Sequence, residues 1–277
     1  MSNARFSYSL NTSSIRRQGA SVLEYIDIAS DAGYQGIEPW VDEIDEWIAS
    51  GGSLETIRSH AQNRGVKIAN LIAFFEWAVP EHDRREIGLS EAKRCFEIAD
   101  ALDCPFVATA PTGIHDRIVD IGLVSRHFAD LSGYVRDFSA VPLLEFWGIA
   151  KTLGSTGEVL HVAAESGVPD VKMLADVFHM YKGTGHHKGF EHFGPGCLGL
   201  VHVNDYPTSP SREQVADEDR IYPGDGVAPW PEILKCLDKM AYSGMLSLEL
   251  FNPEYWSRGP ETVAREGMQK LKNCFEQ

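Results

Sequence analysis

The sequence predicts an α/β protein, a single (β/α)8 barrel of the TIM class spanning residues 1–277. Three observations point there. Short apolar runs bounded by Gly, Pro and Asn recur along the chain and read as buried parallel strands. Each is followed by a segment with helical periodicity and with helix start or stop residues. No linker or low-complexity tract interrupts the alternation, and 277 residues suit one such barrel. The competing architecture is an open doubly wound sheet, but no GxGxxG follows a strand to mark a dinucleotide-binding turn.

The elements follow in order. Arg5 to Leu10 alternates as a first strand and ends in the polar loop Asn11-Thr-Ser-Ser14. Ser21 with Glu24 forms a capping box that opens a helix, and Gly33 closes it. Gly36 to Trp40 is a short second strand. A helix begins at Ser53 and stops at Gly65, before a third strand from Val66 to Ala73 and the aromatic loop Phe74-Phe75-Glu76-Trp77. A helix from Arg84 to Leu102 precedes the fourth strand, Pro105 to Ala110. The helix Val119 to Phe138 leads to the fifth strand, which ends at Leu143-Leu144. Gly157 to Ser166 is helical, and Val171 to Val177 is the sixth strand. Lys182 to Gly196, rich in Gly and His, reads as a loop with a poor helix. The seventh strand, Leu198 to Asn204, opens onto a polar insertion, Pro207 to Val227. A helix from Trp230 to Ala241, an eighth strand from Met245 to Leu250 and a helix from Pro260 to Phe275 complete the pattern.

Bulk properties narrow the function. A formal net charge of −15 argues against nucleic-acid backbones and anionic membrane surfaces as partners, and says little about a small neutral ligand. The five cysteines are odd in number, scattered and without a CxxC pair, which favours free thiols in a reducing compartment. Met1-Ser-Asn-Ala-Arg has no apolar signal core and no run approaches membrane-spanning length, so the expected location is the cytoplasm.

Four of the buried runs stop at a metal-capable residue: Glu145, Asp176, His202 and Glu249. An ionisable group ending a buried strand is costly unless something pairs with it. Four of them at the carboxyl ends of successive strands, where such barrels place their active sites, point to one shared divalent ion. Three carboxylates and one imidazole suit Mn²⁺, Mg²⁺, Co²⁺ or Zn²⁺. His179 lies three residues beyond Asp176, where the strand gives way to a loop, and could hold a second metal, bind a substrate oxygen or pack; the substrate role is favoured. Arg220, followed by a Pro-Gly-Asp-Gly turn, is either fixed over the site by a lid or solvated against Asp217 or Asp219. Glu38 ends the second strand as a substrate contact or a salt-bridge partner. Trp40, Phe74, Phe75, Trp77, Phe146, Trp147, Tyr255 and Trp256 gather at strand ends, where aromatic faces over acids suit a sugar or polyol, or simply pack the barrel mouth. His186, His187 and His192 read as solvated.

Across essentially the whole chain these residues resemble the xylose isomerase-like barrel superfamily of sugar isomerases and epimerases. The resemblance is sharpest in Asp217-Glu-Asp-Arg-Ile-Tyr-Pro-Gly-Asp-Gly226 with Leu246-Ser-Leu-Glu-Leu-Phe-Asn-Pro-Glu-Tyr-Trp256, and looks most like the inosose isomerase branch. Leu71 to Phe75 and Leu144 to Gly148 fit the same branch. It implies a metal on Glu145, Asp176, His202 and Glu249, substrate-oxygen contacts from His179 and Arg220, and proton shuttling by Glu145 and Glu249 through a metal-stabilised enediolate. The substrate is then a small sugar or cyclitol, and a homodimer or homotetramer is expected. Relatives often carry a second glutamate six residues after the first; this chain has Lys151 there, which argues against a ketose 3-epimerase. The rival readings are a metal-dependent lyase of the 3-dehydroshikimate dehydratase type and a non-catalytic sugar-binding barrel. An apurinic endonuclease would need extra histidines at strand ends that here carry Glu38 and Asn70.

Overall fold

The computed structural model describes residues 6–276, so Arg5, placed in the first strand above, lies outside them. The chain runs β1 (Ser7–Asn11), α1 (Val22–Ala32), β2 (Gly36–Glu38), α2 (Val41–Ala49), α3 (Leu54–Arg64), β3 (Lys67–Ile68), α4 (His82–Ala101), β4 (Phe106–Thr109), α5 (Ile121–Tyr134) and β5 (Val141–Leu144). It continues with α6 (Thr156–Glu165), β6 (Lys172–Asp176), α7 (Val177–Thr184), β7 (Leu198–Val203), α8 (Trp230–Lys239), β8 (Met245–Leu248), α9 (Pro253–Trp256) and α10 (Pro260–Phe275). All eight strands pair in parallel in the order β3-β2-β1-β8-β7-β6-β5-β4. The first strand beside the last makes this a curled sheet with helices outside, the TIM barrel.

The expected third strand is broken up, because its residues change neighbours. Lys67 and Ile68 pair with β2. Leu71 instead closes the barrel onto β4, donating to the Phe106 carbonyl at 3.0 Å and accepting from the Ala108 amide at 2.9 Å. Ile72 then bridges back to Trp40. One straight strand could not serve both sides.

The helix signals act as the sequence indicates. Ser21 Oγ accepts from the Glu24 amide, the Glu24 carboxylate accepts from the Ser21 amide at 2.8 Å, and Gly33 takes φ 91°. Two helices were not anticipated. In α2, Val41 and Ile44 bury one face and Glu43 accepts from the Trp40 amide at 3.0 Å. The other is α9, started by Asn252, whose side chain accepts from the Glu254 amide. The expected loop after β6 is also helical: Asp176 both ends the strand and caps α7, its Oδ1 accepting from the His179 amide at 3.0 Å. The barrel axis is filled at its lower layer by Ala69, Leu143, Leu174 and Leu200, packed with Phe106 and Met245. No helix among the described residues is long and apolar enough to cross a membrane.

Candidate metal centre and its pocket

Parallel register brings the strand-end residues together. Asp176 pairs directly with His202 in the β6–β7 ladder. Glu249 follows β8 and donates its backbone N–H to the Val203 carbonyl. Ligand atoms of Asp176, His202 and Glu249 all lie within 4.8 Å of one another, and the three side chains are buried. Glu145 stands outside that mutual set but lines the same pocket, and its carboxyl makes no hydrogen bond to another described residue. Burial pushes that carboxyl up to about 8.

His202 is held from behind. Its Nε2 lies 3.1 Å from both oxygens of Glu38. Glu38 in turn accepts from Asn70 Nδ2 at 2.8 Å and from the Ser247 hydroxyl. Glu38 has no exposure and does not line the pocket; of its two expected roles, its contact with His202 matches the salt-bridge partner. It fixes the ring so that Nδ1 faces Asp176 Oδ2 at 3.6 Å and Glu249 Oε2 at 3.2 Å. Nδ1 is buried and makes no hydrogen bond. A buried ring nitrogen without a partner, aimed at two carboxylates and oriented by a third, is the donor arrangement a divalent cation needs. Burial opposes charge on His202, but Glu249 and Glu38 outweigh it and push the imidazole well up. The surrounding acids therefore demand a positive charge at this position.

Arg220 covers the outer side. Its Nη1 donates to Asp176 Oδ2 and Glu249 Oε2, each at 2.8 Å, while Nε and Nη2 donate to Asp217 Oδ1 at 2.9 and 2.6 Å. Both expectations for Arg220 thus hold in part: it lies over the site and pairs with Asp217, but it is 1% exposed rather than solvated. Burial works to raise the Asp176 carboxyl, yet Arg220 outweighs it and holds the group well below its ordinary range. His179 Nε2 accepts from Arg220 Nη2 at 3.3 Å, and burial pushes this imidazole down to about 4.

The insertion that carries Arg220 is anchored at both ends. Asp205 accepts from the Gly224 and Ala228 amides and from Trp230 Nε1, so the Pro-Gly-Asp-Gly turn wraps around a carboxylate. A side chain at Gly226 would place its Cβ 2.3 Å from Asp205 Oδ1. Upstream, Lys182 Nζ donates to the carbonyls of Arg212, Glu213 and Val215 at 3.1, 2.9 and 2.7 Å.

The pocket is a cleft of about 220 Å³ with acids at its floor and aromatic walls. Trp147 and Trp40 line it, as expected, with Phe74 between them at 6.0 and 5.1 Å. The other aromatics serve packing. Phe75, Trp77 and Phe146 are buried, Tyr255 stacks on Tyr222 at 4.4 Å, and Trp256 Nε1 donates to the Ser13 carbonyl. His187 is likewise not solvated; it is buried and bonded to the Val177 carbonyl at 3.0 Å. Asn11 and Asn204 escaped the sequence reading: Asn11 donates to Glu249 Oε1 at 3.0 Å, and Asn204 to both Asp176 oxygens at 3.3 Å. An amide at a strand end carries no charge to betray it, so only their position was a signal.

The family model for the xylose isomerase-like TIM barrel matches residues 26–274. The chain belongs to that family. Within this barrel family, an inosose isomerase of Halalkalibacterium halodurans is 24% identical over 259 residues, covering 90% of this chain and 89% of that one. A 3-dehydroshikimate dehydratase of Pseudomonas putida is 22% identical over 92% of this chain, which matches 40% of that protein. The solved structure of the IOLI protein with a binding zinc atom superposes with a TM-score of 0.89 at 18% identity, over 98% of both chains.

Proposed function

We propose that the protein is a divalent-metal-dependent isomerase or epimerase that moves a proton beside a carbonyl in a small sugar or keto-inositol. The observation that carries this is the unpartnered Nδ1 of His202 facing Asp176 and Glu249, with a free carboxyl, Glu145, across the pocket. Asp176, His202 and Glu249 would hold the ion, and Glu145, which lines the same pocket, would be a fourth ligand. When bound, the ion supplies Lewis-acid stabilisation of the negative charge that builds on two adjacent substrate oxygens.

The protein's own groups do the rest. Glu145 and Glu249, both in the pocket lining, would take the proton and return it. His179 is kept neutral by burial; with Nε2 accepting from Arg220, its Nδ1 carries the proton and can donate to a substrate oxygen. Trp40, Phe74 and Trp147 offer apolar faces to the C–H surfaces of a ring and exclude water. Names among the relatives support the class: inosose isomerases on one side, a 3-dehydroshikimate dehydratase on the other. Five free cysteines agree with a cytoplasmic setting.

The test is turnover of 2-keto-myo-inositol and of ketohexoses, followed by NMR in metal-stripped and metal-resupplied protein. Isomerised or epimerised product that forms only with metal supports the reading. Turnover undiminished after stripping, with metal content verified at zero, sinks it.

A further inference from the structure

Among the described residues the pocket has one cation on its wall, and the protein itself uses that cation up. An arginine has five N–H donors. In Arg220, Nε donates to Asp217, Nη1 to Asp176 and Glu249, and Nη2 to Asp217 and His179. All five are engaged, and Phe178 and Phe251 lie 4.5 and 5.1 Å from the guanidinium. Exposure is divided unevenly within the pair: the Arg220 side chain is 1% exposed and that of Asp217 is 41% exposed. What the pocket presents to an incoming molecule is therefore the acid.

No other Lys or Arg lines this pocket among the described residues. Arg16 stacks 4.0 Å over the Trp40 ring but is not part of the wall. Lys151, the second cation a carboxylate-bearing substrate would need, is exposed and away from the pocket. Glu145 and Glu249 add two further acids to the lining.

We propose that Asp217 is a specificity-determining residue: by saturating Arg220 and facing the pocket itself, it makes the site select uncharged polyhydroxy ketones and reject substrates bearing a carboxylate or phosphate. The inference rests on the proposed reaction only for where the substrate sits. It also separates this chain from a dehydratase acting on a carboxylated ring. Specificity here comes from repulsion of the wrong ligand as much as from contacts to the right one. A like charge facing a bound anion in a partly dry pocket lowers affinity by about tenfold or more.

The experiment is a binding titration read by the fluorescence of Trp40 and Trp147, using full-length metal-loaded protein. The probes are D-fructose and D-fructuronate, which differ by oxidation of the terminal CH₂OH to a carboxylate. Wild type is expected to bind the neutral ketose at least about tenfold more tightly. D217N, which keeps an oxygen acceptor, and D217A, which frees N–H groups of Arg220, are expected to narrow or reverse that ratio by about tenfold, with the gain falling as salt rises. Thermal unfolding of each variant confirms that it is folded. Equal affinity for the two probes, tighter binding of the acid, or the same ratio in wild type and variants overturns the proposal. Because binding is read without turnover, a failure of proton transfer would leave this selectivity standing, and the reverse.

Discussion

Arg220 Nη1 lies 2.8 Å from both Asp176 Oδ2 and Glu249 Oε2, so one buried N–H₂ group holds two carboxylates, from the ends of the two strands that flank β7, at a fixed spacing. Removing it would leave two buried acids with only the His202 imidazole to offset their charge. R220M is expected to lose about 3–5 kcal/mol of stability in metal-free protein, the range for breaking a buried ion pair. Added Mn²⁺ or Zn²⁺ is expected to restore part of that loss by replacing the cation. Denaturant unfolding with and without metal measures both; a variant as stable as wild type and indifferent to metal would contradict the electrostatic account.

Glu38 tests the shell behind the ligands. E38Q keeps the shape but gives His202 Nε2 a weaker acceptor and lets the imidazole change tautomer. Metal affinity is expected to fall by about 10–100-fold while the fold is retained. Calorimetric titration of stripped protein with Zn²⁺ reads this directly, and an unchanged affinity would return Glu38 to a purely structural role.

Glu43 gives a pH signature outside the metal centre. Burial raises its carboxyl to about 7, against hydrogen bonds from the Trp40 amide and Thr12 that pull it down. The folded state thus holds this proton more tightly than the unfolded chain. The stabilising contribution is fully present below about 4.5 and is lost as pH rises towards about 7. The stability of wild type relative to E43Q is expected to fall by at most about 3 kcal/mol across that window, less where water screens the carboxyl. Paired urea titrations at pH 4.5 and 7.5 decide it, and a difference that is flat or rises with pH counts against it.

Lys182 tests the lid. One ammonium on three carbonyls ties the Arg212–Val215 segment to the end of α7, in the helix whose first turn carries His179. K182M is expected to raise amide exchange over residues 207–221 by about tenfold, the equivalent of one charge-assisted hydrogen bond, and to raise KM more than it lowers kcat. K182R is expected to recover part of the protection. Unchanged exchange would show that Asp205 and the Arg212 guanidinium, which donates to the Lys182 and Gly183 carbonyls, anchor the insertion without the ammonium.

Much of the site was legible because ionisation is expensive in a barrel. Asp176, His202 and Glu249 end buried apolar runs, and that cost could be read without coordinates. Glu38 meets the same criterion, and the sequence leaves it between substrate contact and salt bridge, because a strand-end position does not say whether its side chain meets the pocket or a neighbouring ligand. The register opposite Asn11 and the amide of Asn70 decide that. Secondary structure failed where elements abut. α7 follows the last residue of β6 with no Gly or Pro between them, and α2 starts directly after Trp40, which the sequence reads as strand. The third strand was overextended because apolarity persists through Leu71 and Ile72, although their hydrogen bonds go to different neighbours.

Exchange of substrate hydrogen with solvent tests the proposed reaction most directly. Metal-stripped protein in D₂O, with and without Mn²⁺, is offered 2-keto-myo-inositol and D-fructose, and deuterium at the carbon beside the carbonyl is followed by NMR. The account expects incorporation only with metal, abolished in E249Q that still folds and binds the ion. Incorporation at the same rate without metal, or full incorporation by metal-loaded E249Q, would contradict it.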